Sequence, residues 1–279
     1  MTILVFSILL LGASILAGLV GALTGLGGGV VLIPVLVLLL HVDIHYAMGA
    51  SLIAVITTSS GAAAAYLREG YTNIRIGMFL ETGAVVGAFI GAVLVAFISK
   101  TFIASLFAIV LFISAYLTIK RKEDQEEVPR TSHPWAERLN LSSSYFLKEG
   151  KKNYTVQNVP QALGIMAIAG CLSGLLGIGS GALKVLAMDQ AMNLPYKVAT
   201  TTSNFIIGIT AAVSVGVYFG HGYIVPGIIF PVMIGVAIGS IIGAKILVKT
   251  SSQRLRIIFS SIICLLGVEM LYKALTGAL

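Results

Sequence analysis

Long apolar segments separated by short polar turns make up almost the whole chain. A helix needs about 20 apolar residues to cross the hydrocarbon core of a bilayer, and most of these segments approach or exceed that length. They run over residues 2–23, 29–40, 46–66, 74–98, 101–119, 160–176, 181–194, 197–219, 223–248 and 254–276. Backbone polar groups in lipid must be satisfied inside the chain, which favours helices. The sequence therefore predicts an all-α polytopic membrane protein.

Charged residues are scarce and concentrated in one place. Only 10% of the residues are charged and 57% are hydrophobic, whereas a soluble domain carries about a quarter charged residues. Residues 120–152 hold eight of the 18 Lys and Arg residues and six of the 11 acids. The net charge of +7 thus reflects a cytoplasmic loop and does not indicate nucleic-acid binding. We predict a first transmembrane repeat over 1–119, a charged cytoplasmic loop over 120–159 and a second repeat over 160–279.

The two sets of five segments are copies of each other. Gly25-Leu26-Gly27-Gly28-Gly29 recurs as Gly177-Ile178-Gly179-Ser180-Gly181, at an offset of 177 − 25 = 152. The same offset, without a gap, pairs Ser51 with Ser203 and Tyr66 with Tyr218. It also pairs Gly83, Gly87 and Gly91 with Gly235, Gly239 and Gly243. One ungapped register over this length indicates duplication.

Parity and charge predict how the copies are oriented. If all five segments of each copy cross, the basic turns at 67–75 and 249–256 lie in the cytoplasm with the charged loop, as the positive-inside rule requires. The 220–226 turn is then outside, and only Lys100 lies on the wrong side. An odd number of crossings makes the copies inverted repeats with both termini outside. The alternative is that the short segment after each glycine cluster is re-entrant, which would make the number even.

The glycine clusters are candidates for an anion site. Glycine-rich backbone at membrane depth is tolerated where it is packed in protein or lines a watery cavity. A short helix that starts after the cluster directs its positive end to that place, and such ends bind anions. We therefore predict substrate contacts at Gly25, Gly27, Gly28, Gly29, Gly177, Gly179, Ser180 and Gly181. The alternative is close helix packing, which accounts well for Gly83, Gly87, Gly91 and their equivalents.

Neutral hydrogen-bond donors cluster near the same place in both copies. Hydroxyl and amide groups hold an oxyanion without trapping it by full charge. The predicted substrate contacts therefore include Ser51, Thr57, Thr58, Thr202, Ser203 and Asn204. The alternative is that these hydroxyl groups bond to the carbonyl four residues earlier in their own helix.

Lys184 and Glu81 are candidates among the charged residues inside apolar segments, because charges at membrane depth are functional candidates. Lys184 follows the second glycine cluster and either attracts the anion or pairs with Asp189. Glu81 lies seven residues into the fourth segment and is a candidate proton carrier, unless it meets Arg75. The sequence holds no recognisable catalytic or metal-binding signature, so we expect no enzyme activity and no cofactor.

The paired motifs resemble the sulfite exporter TauE/SafE family. The first copy contributes Gly18-x2-Gly21-x3-Gly25-Leu26-Gly27-Gly28-Gly29, then Pro34 and Ala50-Ser51-Leu52. The second contributes the segment from Gly170 to Gly181, followed by Thr202-Ser203-Asn204. The resemblance covers the chain except for the charged loop. It implies a permease for small anions such as sulfite, sulfoacetate or related sulfonates. Ser180 and Lys184 depart from the plainest pattern of the family.

The sequence thus predicts a secondary transporter of a small anion in the cell (inner) membrane, working by alternating access between the two repeats. Its expected partners are the anion, the lipid bilayer and a coupling ion, with H+ and Na+ both open, and a homo-oligomer is also open. The alternatives are a membrane scaffold or assembly factor that does not transport, and an anion channel.

Overall fold

The computed structural model describes residues 3–24, 27–68, 71–120, 134–147, 150–249 and 252–276. These residues are predominantly helical, which confirms the predicted all-α class. The helices of the first copy are α1 (Ile3–Thr24), α2 (Gly29–Pro34), α3 (Ile44–Arg68), α4 (Ile74–Leu94) and α5 (Lys100–Lys120). A short α6 (Pro134–Arg138) lies in the loop, and the second copy forms α7 (Val159–Leu176), α8 (Gly181–Leu186), α9 (Tyr196–Gly220), α10 (Pro226–Lys249) and α11 (Ser252–Thr276).

Five helices in the described part of the chain are long and apolar enough to cross a membrane. They are the segments Leu4–Leu23, Ile74–Phe97, Val159–Leu176, Lys197–Gly220 and Pro226–Ile246. Large apolar side chains on the outside of the bundle, such as Phe97 and Leu265, are exposed. Lipid is the solvent in which such a surface is stable, so the chain is a multi-pass membrane protein.

The duplication is visible in the helix bounds. The short helices α2 and α8 both continue without a break into a π-helical turn, over Val35–Leu39 and Ala187–Ala191. The first residues of α2 and α8 are 181 − 29 = 152 apart, and α3 and α9 start and end at the same offset. In both copies, therefore, a short helix follows the glycine loop and continues into a π-helical turn.

In the second copy, α7 and the α8 segment that follows the glycine loop run in opposite directions. The backbone N–H of Gln157, just before α7, donates to the carbonyl of Met192, just after α8, over 3.3 Å. The Asn193 side-chain amide also donates to Gln157 Oε1 over 2.8 Å. The starts of α7 and α9 thus lie at the same end of the molecule. The number of times that each copy crosses the membrane stays a prediction.

Helices α3 and α9 cross at the centre and run in opposite directions. The Tyr218 hydroxyl, near the end of α9, donates to Met48 Sδ near the start of α3 over 3.9 Å. Further along α3, the Ser59 hydroxyl donates to the carbonyl of Asn204, near the start of α9, over 2.6 Å. Equivalent helices of the two copies are therefore antiparallel. The side of the membrane that each end faces stays a prediction.

Glycines bring helices of different copies into close contact. A Cβ atom added at Gly87 on α4 would collide with the carbonyl oxygen of Ala167 on α7. Its equivalent, Gly239 on α10, stands in the same relation to Ile15 on α1. Close packing through small residues, the alternative considered for these glycines, is the arrangement found. The copies are therefore interlocked, because α4 packs on α7 and α10 packs on α1.

The charged loop is partly folded. Strands β1 (Ser143–Leu147) and β2 (Gly150–Tyr154) form an antiparallel hairpin, which the sequence did not lead us to expect. The buried side chains of Leu141 and Tyr154 join the apolar cluster that includes Ile76 on α4 and Val159 on α7. This part of the loop is thus packed against the helices.

An ionic cluster lies at the end where α3 begins. Lys100, at the start of α5, donates to Asp43, and the backbone N–H of His45 donates to the same carboxylate over 3.0 Å. Partial burial acts to raise the pKa of Asp43, but the bonds from Lys100 and His45 outweigh it and the pKa lies below its ordinary value. The His45 ring stacks on Tyr223, with centroids 4.8 Å apart, which joins this turn to the turn between α9 and α10.

Candidate functional site

The glycine loops of the two copies meet beside α3. The Ser51 hydroxyl on α3 donates to the carbonyl of Gly177 over 2.6 Å. A Cβ atom added at Gly29 would collide with the Ser51 side chain and would lie 3.3 Å from the Gly177 oxygen. Gly27 and Gly179 both approach the side chain of Val55. The structure thus brings the glycine residues of the prediction together, except for Gly25, which lies outside the described residues.

The loop backbone explains why glycine is used at several of these positions. Gly27, Gly177 and Gly179 have φ values of 79°, 69° and 71°, in the left-handed region where a side chain is strained. Ser180 also has a positive φ, 47°, whereas its equivalent Gly28 has φ −65°. The second loop therefore carries strain that the first does not.

Thr57 and Thr58, two of the predicted substrate contacts on α3, form hydrogen bonds within their own helix. Thr57 and Thr58 donate to the carbonyls of Ile53 and Ala54, over 2.9 and 2.8 Å. These two bonds are those of the alternative interpretation, because each stays within its own helix.

The polar start of α9 is tied to several elements. Thr202 Oγ1 accepts from the backbone N–H of Asn73 over 3.0 Å, and the Ser203 hydroxyl donates to the carbonyl of Gly181 over 3.3 Å. The Asn204 amide donates to the carbonyl of Ala22, near the end of α1, over 3.3 Å. Ser203 and Asn204 therefore contact both broken helices, whereas Thr202 holds the start of α4.

Several buried oxygen atoms have no hydrogen-bond partner among the described residues. They are Oγ of Ser173, Oγ of Ser180, Oγ1 of Thr200 and Oδ1 of Asn204 in the second copy, with Thr72 Oγ1 and Ser260 Oγ elsewhere. A buried polar group without a partner costs about 1–3 kcal/mol. Their concentration around the second glycine loop is typical of a place where a polar ligand or water completes the bonding.

Lys184 and Glu81, the charges selected as candidates inside apolar segments, pair with each other. Lys184 Nζ lies 2.9 Å from Glu81 Oε2, and the Thr210 hydroxyl on α9 donates to Glu81 and accepts from Lys184. All three side chains are buried, and Lys184 is 0% exposed. The pairings considered from the sequence were Lys184 with Asp189 and Glu81 with Arg75, and the pair between Lys184 and Glu81 was not among them. Arg75 donates to the carbonyl of Asn140 over 3.4 Å.

Sequence reasoning missed Thr210 and Asn73. Thr210 stands 210 − 58 = 152 residues after Thr58, so the repeat register could have identified it. Asn73 donates to the carbonyl of Leu141 and to the hydroxyl of Tyr154, over 2.9 and 2.8 Å. Asn73 is the N-cap of α4 and accepts from the backbone N–H of Ile76 over 3.1 Å, a role that its position before an apolar segment could have indicated. Among the described residues, no three His, Cys, Asp or Glu side chains come together as a metal site.

The architecture is that of a helical membrane protein with broken helices at its centre, which is typical of secondary transporters. The family model for "Sulfite exporter TauE/SafE" matches residues 10–270. The chain belongs to this family, and the resemblance in its motifs is confirmed.

Relatives of the chain are found in Bacillus subtilis strain 168. Probable membrane transporter protein YdhB is 30% identical over 233 residues, which cover 82% of this chain and 86% of the relative. Probable membrane transporter protein YunE is 27% identical over 281 residues, which cover 96% and 98%. No solved structure matches the chain significantly.

Proposed function

We propose that this chain is a secondary transporter that carries small oxyanions, such as sulfite, sulfoacetate or related sulfonates, across the cytoplasmic membrane. The family to which the chain belongs is described by sulfite export. Its relatives are named as probable membrane transporters. Both facts support the class of protein, and the chemistry of the central region supports an anion as the substrate.

The observation that carries the proposal is the meeting of the two interrupted helices. The Ser51–Gly177 bond of 2.6 Å joins a helix of the first copy to the glycine loop of the second. Helices α2 and α8 both begin at this central region, so their backbone N–H groups favour negative charge there. Unpartnered hydroxyl groups at Ser173 and Ser180 and the buried ammonium of Lys184 add donors for an oxyanion.

Alternating access would use the antiparallel arrangement of the copies. Helices α3 and α9 run in opposite directions, which supports an inverted orientation of the two copies in the membrane. The glycine contacts of α1 with α10 and of α4 with α7 suggest that each moving unit contains helices of both copies. One unit would rock against the other around the α3–α9 crossing and open the central region to one side at a time.

Flux measurements on the purified chain in proteoliposomes test this proposal. We expect saturable uptake or counterflow of labelled sulfite, sulfoacetate or thiosulfate, well above that of protein-free vesicles. Ser51→Ala and Ser203→Ala should lower the rate. Absence of binding and of flux for all three anions would contradict the proposal.

A further inference from the structure

The buried charges of Glu81 and Lys184 join the two copies of the repeat. Glu81 lies on α4 in the first copy, whereas Lys184 on α8 and Thr210 on α9 belong to the second. Glu81 is 2% exposed, and Lys184 and Thr210 are both 0% exposed. A helix of one copy is thus held against two helices of the other by one charge pair and one hydroxyl group.

Removing one partner of a buried pair leaves the other charge without compensation, which is strongly unfavourable. An anion that binds to the Lys184 ammonium takes the position that the Glu81 carboxylate now holds. The displaced carboxylate would then be a buried negative charge close to a second one. Taking up a proton removes that charge, because the neutral acid is the form that burial favours.

We propose that Glu81 serves as the resident anion of the empty transporter, and that a substrate anion replaces it at Lys184 only when Glu81 takes up one proton. The proposal rests on the transport function proposed above, and it specifies the coupling ion and its direction. The anion and one proton move together. On release of the anion, Glu81 gives the proton to the same aqueous side and pairs with Lys184 again. With a singly charged anion the net charge of the site is zero in both states, and with a doubly charged anion such as sulfoacetate the loaded site carries −1.

The neighbouring hydroxyl groups fit both states. Thr210 donates its single proton to Glu81 in the empty state, and its oxygen can accept from the protonated acid in the loaded state. Ser180 immediately precedes α8, and its carbonyl accepts from the backbone N–H of Lys184 over 3.1 Å. Its buried hydroxyl has no partner among the described residues, so it can donate to an anion at Lys184.

The hydrogen bonds of the pair join Glu81, Lys184 and Thr210 to one another. The other described ionisable side chains on α4, α7, α8 with its π-helical turn, and α9 are Arg75, Cys171, Asp189, Lys197 and Tyr218. On α5, which also contacts α8, Lys100 bonds to Asp43, and Tyr116 is exposed. Glu81 is therefore the group placed to take the proton when Lys184 changes its partner.

The proton can be counted without any flux. The purified full chain in detergent and weak buffer, with a pH-sensitive dye, is mixed with sulfoacetate, whose own charge is constant between about pH 6 and pH 8. We expect about one proton taken up per anion bound. Glu81→Gln should bind sulfoacetate with no proton uptake, since an amide does not titrate. Glu269→Gln, which changes an exposed carboxylate on α11, should behave as the wild type does.

In proteoliposomes, an inward proton gradient should accumulate sulfoacetate with the wild type and fail to do so with Glu81→Gln. Binding without proton uptake by the wild type would overturn the coupling and leave the transport function standing. Failure of sulfoacetate, sulfite and thiosulfate to bind at all would overturn both. Because the wild type alone decides these outcomes, the test does not depend on the folding of the variant.

Discussion

The two copies have the same helices but different interiors. Where the second copy has Lys184 and Thr210, the first has Leu32 and Thr58 at the equivalent positions. Leu32 is 0% exposed and apolar, and the Thr58 hydroxyl donates to Ala54 in its own helix instead of reaching a carboxylate. The other member of the ion pair, Glu81 on α4, is not repeated either, because its equivalent on α10 is Met233. Backbone packing is thus preserved in both copies, whereas neither buried charge is repeated at its equivalent position, which favours a single anion site.

The largest expected effect comes from replacing Lys184 of the second copy with leucine, the residue at the equivalent position of the first copy. Lys184→Leu leaves the Glu81 carboxylate buried without its partner and should destabilise the protein by about 3–5 kcal/mol. The double variant Lys184→Leu, Glu81→Met places the first-copy residues at both positions and should recover most of that loss. Thermal unfolding in detergent measures both, and sulfoacetate binding should be lost in both. If the single variant were as stable as the double one, the pair would not be a buried ion pair in the folded protein.

The second effect should be equal in the two copies. Gly87→Ala and Gly239→Ala each force a Cβ atom against a carbonyl oxygen of the facing helix, and overpacking of this kind costs about 1–3 kcal/mol. Their unfolding temperatures should fall by similar amounts. Gly12→Ala and Gly164→Ala are matched controls, since they are also equivalent positions and nothing lies within 4 Å of the added atom. A loss in only one of the two packed positions would contradict the shared packing.

The third effect concerns the strained turn that only the second copy has. Ser180→Gly removes the cost of a positive φ and should stabilise the protein by about 1 kcal/mol. Ser180→Ala keeps that strain and removes the same hydroxyl group. Both variants should bind sulfoacetate more weakly than the wild type, whereas only the glycine variant should unfold at a higher temperature. Equal unfolding temperatures for the two variants would show that the backbone at Ser180 is not strained.

The smallest effect concerns the turn before α3, where Asp43 stands in place of the second copy's Pro195. Burial acts to raise the pKa of Asp43, but Lys100 and His45 lower it below its ordinary value. A lowered pKa means that the carboxylate contributes stability above about pH 4, its unfolded value, and loses it as the pH falls through the folded value. Asp43→Asn should therefore flatten the acid side of the unfolding temperature against pH. Lys100→Gln should do the same, and an unchanged slope in both would exclude this contribution.

Much of the fold could be predicted because its signals are local or periodic. The segments predicted at 46–66 and 197–219 lie within α3 and α9, since each depends on hydropathy over neighbouring residues. The break before α2 and α8 followed from the glycine clusters. The hairpin formed by β1 and β2 was not predicted, because a short strand pair in a polar loop has little apolar periodicity to mark it.

The sequence selected the residues of the candidate site but not the contacts between them. Glu81 and Lys184 were both selected as charges inside apolar segments, yet their pairing with each other was not predicted, because 103 positions separate them. The polar groups at Ser59 and Asn204 are not at equivalent positions of the repeat. They meet because α3 and α9 are antiparallel, so that a later residue of one helix faces an earlier residue of the other.

The sequence by itself determined the membrane environment, the position of the main apolar helices, the duplication and the family, since each depends on composition or on spacing along the chain. Only the tertiary structure decided which copy packs against which, and which charge neutralises Lys184. The physical reason is that a buried charge is stabilised by an opposite charge close to it in space, whatever their separation along the chain. That proximity arises from the crossing of α3 and α9 and from the glycine contacts between helices of different copies.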